Sequence, residues 1–461
     1  MLMLANVTLI DPVSRTNGVR DILIAERRVI KIGTGLALDA SLIAEAKGER
    51  LEVIDCEGLY AAPGFVDPHV HFRDPGLTYK EDISTGAAAA AAGGYTSVIC
   101  MANTKPPVDS EETLIEVLRK GRATPIHVYS CTCVTKNMDG KELVDMKLMK
   151  ECGAVGFTDD GRPILNEALV RDAMLKARQI KMPLSFHEED PKYITDNGVN
   201  AGPAAEKLGL AGSDRKAEIF MIARDVKLAR ETGATICIQH ISTKEGVDLV
   251  RKAKRSGARV FAEATPHHFS LTDDAVGLYG SLAKMNPPLR TEEDRLAIIE
   301  GLKDGTIEII ATDHAPHAKD EKDRPFAEAP SGIIGLETAF SIGIKYLVKP
   351  GHLTLSQLIS KMTIGPARLY ALDAGMVREE GSADLVLFDP DATWAYLAPR
   401  SRSTNSPWLG KSMTGRVLMT ICGGNIVYEA ERAFAERRWP ANRRFPMSSR
   451  LSGMDRPADT E

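Results

Sequence analysis

The chain has 461 residues, 43% hydrophobic and 26% charged, which is ample material for a large core and excludes disordered, collagen-like and coiled-coil classes. Lys+Arg at 58 against Asp+Glu at 63 leaves a net charge of -5, so no basic excess points to a nucleic acid. Seven cysteines, odd in number and scattered, fit neither a disulfide framework nor a zinc ribbon; with no export or membrane segment visible, the expected compartment is the reducing cytoplasm.

Residues 1–55 read as short strands at 3–10, 21–25, 28–32 and 51–55, with turn residues such as Gly33 and Gly35 between them, and predict part of a small antiparallel sheet. From residue 56 the texture changes. Apolar runs rich in β-branched residues lie at 59–66, 97–101, 126–133, 154–158, 182–186, 235–238, 259–262 and 307–311, each followed by helix-like sequence. Segments 165–180 and 214–232 are amphipathic helices. Near-continuous apolar strands suit a parallel sheet buried on both faces, and eight of them predict a (β/α)8 barrel over residues 56–378. The six alanines Ala87 to Ala92 are far short of the ~20 apolar residues of a membrane span and read as a tightly packing helix. Residues 353–370 predict one further helix. Strands return at 383–388, 412–421 and 425–428, so residues 379–432 are expected to complete a small β-sandwich domain built from both chain ends. Residues 433–461 form an irregular, arginine-rich tail with Arg437, Arg438, Arg443, Arg444, Arg450 and Arg456.

In such barrels chemistry collects at the C-terminal ends of the strands. The first run is followed by Asp67-Pro-His-Val-His-Phe-Arg-Asp-Pro-Gly76, the second by Asn103, the fourth by Asp159-Asp160, the fifth by His187, the sixth by His240 and the eighth by Asp313-His-Ala-Pro-His317. His69 and His71 point to the same side of a strand, because side chains alternate with period two, and can bind one divalent metal. With His187, His240, Asp160 and Asp313 on the same rim, the donors exceed what one tetrahedral ion needs and suit two adjacent cations. Two cations would lower the pKa of bound water and polarise a substrate carbonyl, while a carboxylate moves the proton to the leaving group; that is hydrolysis. Asp159 and Asp160 are not separated by this reasoning, since only one of two neighbours faces the axis. His127, inside the third run, reads as a satisfied core histidine. His314, beside Asp313, is expected to pack behind the site, and His267 and His268 are not read as ligands.

These motifs resemble the amidohydrolase superfamily and, within it, the class I dihydroorotase family. The resemblance spans roughly residues 4 to 429 and is carried by residues 67–76, by Met101-Ala-Asn-Thr-Lys-Pro106, by 313–317 with Gly335-Leu-Glu-Thr338, and by Ser403-Thr-Asn-Ser-Pro407. It implies two Zn2+ ions per subunit, one held by His69, His71 and Asp313 and the other by His187 and His240. It further implies a bridging aspartate where many superfamily members carry a carboxylated lysine, and family spacing to His187 selects Asp160. Asp313 would also be the catalytic proton carrier. Arg73 and Asn103 would grip a substrate carboxylate, with His71, Asn286, His317, Ser331 and Gly332 as further substrate contacts. The charged segment 318–330 would be a mobile cover.

The activity implied is the reversible cyclisation of N-carbamoyl-L-aspartate to L-dihydroorotate in pyrimidine synthesis, acting on a small molecule and on neither nucleic acid nor membrane. The resemblance leaves open a homo-oligomer and a complex with aspartate transcarbamoylase. Two rival readings stand beside it. One is another cyclic amidase of the allantoinase or dihydropyrimidinase type. The other is a catalytically inactive relative serving aspartate transcarbamoylase as a structural partner, though such copies lose metal ligands and every ligand position here is filled.

Overall fold

The computed structural model describes residues 1–48, 50–431 and 433–440. The chain opens with β1 (Leu2–Asp11), β2 (Thr16–Ala25) and β3 (Arg28–Gly33), paired antiparallel in that order. The helix α1 (Ala37–Lys47) follows, then β4 (Glu52–Asp55) and β5 (Tyr60–Pro63), both parallel to β1. In β1, Leu2 and Leu4 face one core while Met3 and Ala5 face another that includes Ala40 and Ala44 of α1, as period-two alternation requires. A register shift between Leu4 and Val7, with Asn6 at φ 59°, then changes the phase, so that Val7 and Leu9 rejoin the core of Leu2 and Leu4.

The barrel strands follow in chain order: β6 (Phe65–Val70), β7 (Tyr95–Cys100), β8 (His127–Thr132), β9 (Gly156–Thr158), β10 (Leu184–Phe186), β11 (Ile236–Ile238), β12 (Val260–Ala264) and β13 (Ile309–Ile310). They form one parallel sheet in sequential order, and a parallel bridge between Val70 and His314 brings its two ends together. The alanine run lies in α2 (Ile83–Ala92), which starts in a reciprocal cap between Asp82 and Thr85 and lies so close to the barrel that a Cβ on Gly86 would sit 2.3 Å from the Phe72 ring. Among the described residues no helix is long and apolar enough to cross a membrane.

After the barrel, β14 (Leu385–Ala395), β15 (Ser412–Cys422) and β16 (Asn425–Glu429) return to the first sheet through the antiparallel pairing of β14 with β5. Strands from both ends of the chain therefore share one mixed sheet in the order β16-β15-β14-β5-β1-β2-β3, with β4 beside β5 on the edge of β1 opposite β2, and β17 (Arg438–Pro440) antiparallel to β4.

Several details depart from expectation. The run at 59–66 is two strands: β5 belongs to the mixed sheet and β6 to the barrel. The chain changes sheets at Gly64, where a Cβ would lie 2.2 Å from Thr96 Oγ1, so a side chain has no room at the crossing. The N-terminal sheet is mixed because β4 and β5 reach it through crossovers, and α1 was not anticipated. The helix expected over 353–370 is two, Leu355–Met362 and Ile364–Leu369, broken at Thr363 (φ -132°, ψ -88°). Pro366 lacks the N–H that a continuous helix would need, and it is accommodated in the first turn of a new one. The tail is not irregular from residue 433 onward: 438–440 form β17. Its later arginines, Arg443, Arg444, Arg450 and Arg456, lie outside the described residues.

Candidate active site

The six predicted rim residues come from five different barrel strands and meet at one end. His69 is on β6 and His71 one residue beyond it; Asp160, His187, His240 and Asp313 lie one to three residues past the ends of β9, β10, β11 and β13. All six are at least nine-tenths buried. His69 Nε2 is 3.6 Å from Asp160 Oδ1 and 3.5 Å from Asp313 Oδ1, and His71 Nε2 is 3.4 Å from Asp160 Oδ2 and 2.9 Å from Asp313 Oδ1. On the other side, His187 Nδ1 and His240 Nε2 stand 3.6 and 3.5 Å from Asp160 Oδ1 and 3.0 Å from each other. Asp160 thus belongs to two groups that could each hold a metal ion: one with His69 and His71, one with His187 and His240.

Asp159 points elsewhere. Its Oδ1 accepts from the Val134 and Thr135 amides at 2.7 and 3.2 Å, and its other oxygen accepts from the Thr135 hydroxyl, so it ties down the loop after β8. Burial pushes its pKa up to about 6.

Hydrogen bonds from the far side orient the imidazoles. His69 Nδ1 lies 3.0 Å from Glu263 Oε2, His71 Nδ1 2.8 Å from Asn103 Oδ1, and His187 Nε2 3.1 Å from Glu189 Oε2. In each case the partner is an acceptor, so the outer nitrogen carries the hydrogen and the inner one presents its lone pair to the cluster. Asn103 also donates through Nδ2 to Asp160 Oδ2 at 3.1 Å. Two inward-facing atoms, His69 Nε2 and Asp160 Oδ1, are buried with no hydrogen-bond partner. Such orphans are costly unless a ligand satisfies them, and imidazole nitrogens around a shared carboxylate are donors that could hold divalent metal.

The electrostatics say the same. Burial opposes ionisation of Asp160 and Asp313, yet the charge on His69 and the close approach of the surrounding histidines outweigh it and hold both well below the usual carboxylate range. Burial also opposes charge on His69, but Asp160 and Asp313 raise it well above the usual value. His187 is pushed up to about 10 against its burial by Asp160 and Glu189. Without metal the buried carboxylates favour the protonated forms of His69 and His187; divalent cations would take over that positive charge.

Beside the cluster opens a cleft of about 200 Å3, lined by His71, Arg73, Asn103, Asp160, Gly161, His187, His240, Met285, Asn286, Asp313, Ala315, His317, Ser331 and Gly332. Every residue expected to contact substrate is on its wall. The Arg73 guanidinium donates to Pro316 O at 3.2 Å and lies 3.4 Å from His317 Nε2, with no carboxylate at ion-pair distance among the described residues. His317 is gripped by Lys80 Nζ at its Nδ1 (3.2 Å) and by Ser331 O at its Nε2 (2.8 Å). Burial, then Arg73 and Lys80, hold its pKa below the usual range, leaving it neutral with the hydrogen on Nε2. The Ser331 hydroxyl donates to Asn286 Oδ1 at 3.1 Å. The segment after β13 is strapped down: Glu321 meets Lys80 at 3.0 Å and Tyr79 at 2.9 Å, and Lys322 donates to Pro330 O and Gly332 O.

Three non-glycine residues of this rim, Arg73, His240 and Asp313, have φ of 57°, 32° and 47°, a conformation that costs each about 1–3 kcal/mol and persists where surrounding structure enforces it. Gly332, at φ 150°, is barred to a side chain twice over, since a Cβ would also lie 2.7 Å from Ala315 O and His317 Cδ2. Gly332→Ala is expected to lower stability by about 1–3 kcal/mol, seen as a lower Tm in thermal unfolding; an unchanged Tm would contradict this reading of the turn.

Residues the motifs did not reveal are Glu263, Glu189 and Lys80, while Asn405 stands in a motif that does not disclose its role. Glu263 is the one carboxylate in the apolar strand β12, and Glu189 follows His187 by two, so each left a trace in the sequence. Asn405 accepts from the His317 amide at 3.1 Å and donates to Ala315 O and Gly332 O, work that only the folded loops disclose. His314 does pack behind the site, taking the Gly335 amide on Nδ1 and facing Glu81 with Nε2. His268 is satisfied by Thr265 and Pro287 O.

The amidohydrolase family model matches residues 60–427. A dihydroorotase of Clostridioides difficile (strain 630) is 52% identical over 430 residues, 93% of this chain and 100% of that one. A dihydroorotase of Clostridium acetobutylicum is 51% identical over 431 residues, with the same coverage. Among solved structures, the L-hydantoinase (dihydropyrimidinase) of Arthrobacter aurescens superposes with a TM-score of 0.81 at 24% identity, covering 93% of this chain and 96% of that one; at that identity the likeness is one of fold.

Proposed function

The chain belongs to the amidohydrolase family and, within it, to the dihydroorotases, and from that premise we propose how its site works: as a dinuclear zinc centre that interconverts N-carbamoyl-L-aspartate and L-dihydroorotate for pyrimidine synthesis in the cytoplasm. The observation that carries the reading is the cleft itself, where an unpaired Arg73 faces two histidine groups sharing Asp160.

His69, His71 and Asp313 would hold one ion, His187 and His240 the other, with Asp160 between them. Bound there, the cations supply Lewis acidity toward the ring carbonyl and the attacking water. Arg73 holds the substrate carboxylate, a task matched to its planar fork of donors. Asn103 joins it while keeping His71 and Asp160 in register. Asn286, neutral His317, and the Ser331–Gly332 turn form the facing wall and orient the ring. Asp313, ionised and beside His71, accepts the proton that the attacking water loses and delivers it to the departing ring nitrogen; cyclisation runs the same steps in reverse. A substrate without a carboxylate would leave Arg73 unpaired in a mostly buried wall, which argues against the allantoinase and dihydropyrimidinase readings. The filled ligand set argues against an inactive structural partner. Self-association and association with aspartate transcarbamoylase are read by sedimentation of the chain with and without that enzyme.

Chelation is expected to abolish dihydroorotate hydrolysis and Zn2+ to restore it, with metal quantified in the same samples and hydantoin and allantoin run in parallel. Full activity in metal-free protein would overturn the mechanism, and faster turnover of hydantoin or allantoin would overturn the substrate.

A further inference from the structure

A second group of metal-ligating side chains lies at the opposite mouth of the barrel. His127 opens β8, at the N-terminal end of the strands, whereas the cleft is at their C-terminal ends. Asp384 immediately precedes β14, and Cys422 ends β15. A ring nitrogen of His127, a carboxylate oxygen of Asp384 and Cys422 Sγ all lie within 4.8 Å of one another. Among the described residues only three groups have this closeness; the other two are the halves of the active-site cluster.

Each donor stands on or beside a rigid element. His127 is paired with Ser97 of β7, Cys422 with Asn425 of β16, and Leu385, next to Asp384, with Ile421 of β15. The Gly423 amide donates to Asp384 Oδ1 at 2.7 Å and fixes the carboxylate, so that Oδ2 faces His127 Nε2 at 3.1 Å. The thiol makes a long contact to Thr96 O, at 3.7 Å, and also faces the Asp384 carboxylate. Exposure is graded across the group: the His127 side chain is 35% exposed and that of Asp384 13%, while Cys422 is buried. Three protein donors with solvent at one side match a tetrahedral ion that keeps one water.

We propose that His127, Asp384 and Cys422 form a further cation site, separate from the catalytic cluster, that takes a borderline-soft divalent ion of the Zn2+ class. Sulfur, nitrogen and a single carboxylate select such an ion over Mg2+ or Ca2+, which require shells of oxygen. Binding displaces the thiol proton to solvent, because thiolate is the ligand; thiolate and carboxylate together balance the dication. Since His127 belongs to the barrel and the other two to the mixed sheet, the ion would clamp one to the other.

Cadmium reports thiolate ligation directly through an ultraviolet charge-transfer band. The full-length, metal-replete protein is equilibrated with excess Cd2+, freed of unbound ion and measured for absorbance, total metal and dihydroorotate hydrolysis. The site predicts a thiolate–cadmium band and one more ion per chain in wild type than in Cys422→Ser. It predicts a weaker band in His127→Asn, and hydrolysis in both variants within twofold of wild type. Retained hydrolysis certifies that the variants fold; were Cys422→Ser to lose it, the comparison rests on His127→Asn. No band in wild type, a band surviving Cys422→Ser, or metal content unchanged by both substitutions would overturn the proposal, whatever the catalytic assay says about the cleft.

Discussion

Asp160→Asn is expected to strip metal from the site and cut dihydroorotate turnover on the order of 10³-fold or more, while Asp159→Asn keeps its metal. Asp160 is the residue common to both metal-ligating groups, within 3.6 Å of nitrogens from His69, His71, His187 and His240. In the proposed dinuclear site, removing its charge would deprive both ions of a shared anion, and the several kcal/mol of transition-state stabilisation that cations provide would go with them, each ~1.4 kcal/mol being a factor of ten. Asp159 instead accepts two backbone amides and a hydroxyl. An asparagine there keeps an acceptor for the amides, so the cost is one of stability, about 1–3 kcal/mol, with zinc content intact. Metal analysis of the two variants decides between them; loss of zinc from Asp159→Asn alone would transfer the bridging role to that residue.

Arg73→Met is expected to lower kcat/KM for dihydroorotate on the order of 10²–10⁴-fold without altering bound zinc. The figure follows from the roughly 3–5 kcal/mol lost when one partner of a buried ion pair is removed, here leaving the substrate carboxylate without its cation. Methionine fills similar space, and the hydrogen bonds of Arg73 go to Pro316 O and His317, not to the proposed metal ligands. A variant that lost zinc would show that Arg73 supports the cluster instead of the substrate.

The strand ends were readable from sequence because the barrel places them by rule: apolar runs mark the strands, and whatever polar residue follows each run sits on one rim. His69 and His71 were the clearest case, since alternation along β6 puts both on one face. Alternation could not separate Asp159 from Asp160, because β9 ends at Thr158 and both residues lie past the regular backbone. There the decision belongs to Val134 and Thr135, whose amides hold Asp159 away, and no local pattern encodes a contact some 25 residues back in the chain. The same limit hid the boundary inside residues 59–66. Within that run the residues of β5 and the first two of β6 are alike apolar and separated by one glycine, and only the pairing partners, β1 and β14 for one and β7 for the other, assign them to different sheets. Asn405 was legible as part of a motif but not as the residue that ties the loops of His317 and Gly332 together.

The pairing of β17 with β4 bears on how the protein behaves in a crowded solution. β4 is hydrogen-bonded to β1 along one side, and Arg438–Pro440 occupy the other, in register with Glu52–Ile54. Arg438 adds ion pairs to Glu52 at 3.1 Å and to Glu429. Without that short strand, β4 would offer a row of open amides and carbonyls to any extended chain, the usual template for strand-to-strand aggregation. The last described residues therefore act as an edge guard, and a chain shortened before Arg438 would keep its cleft intact while gaining a surface on which copies could stack.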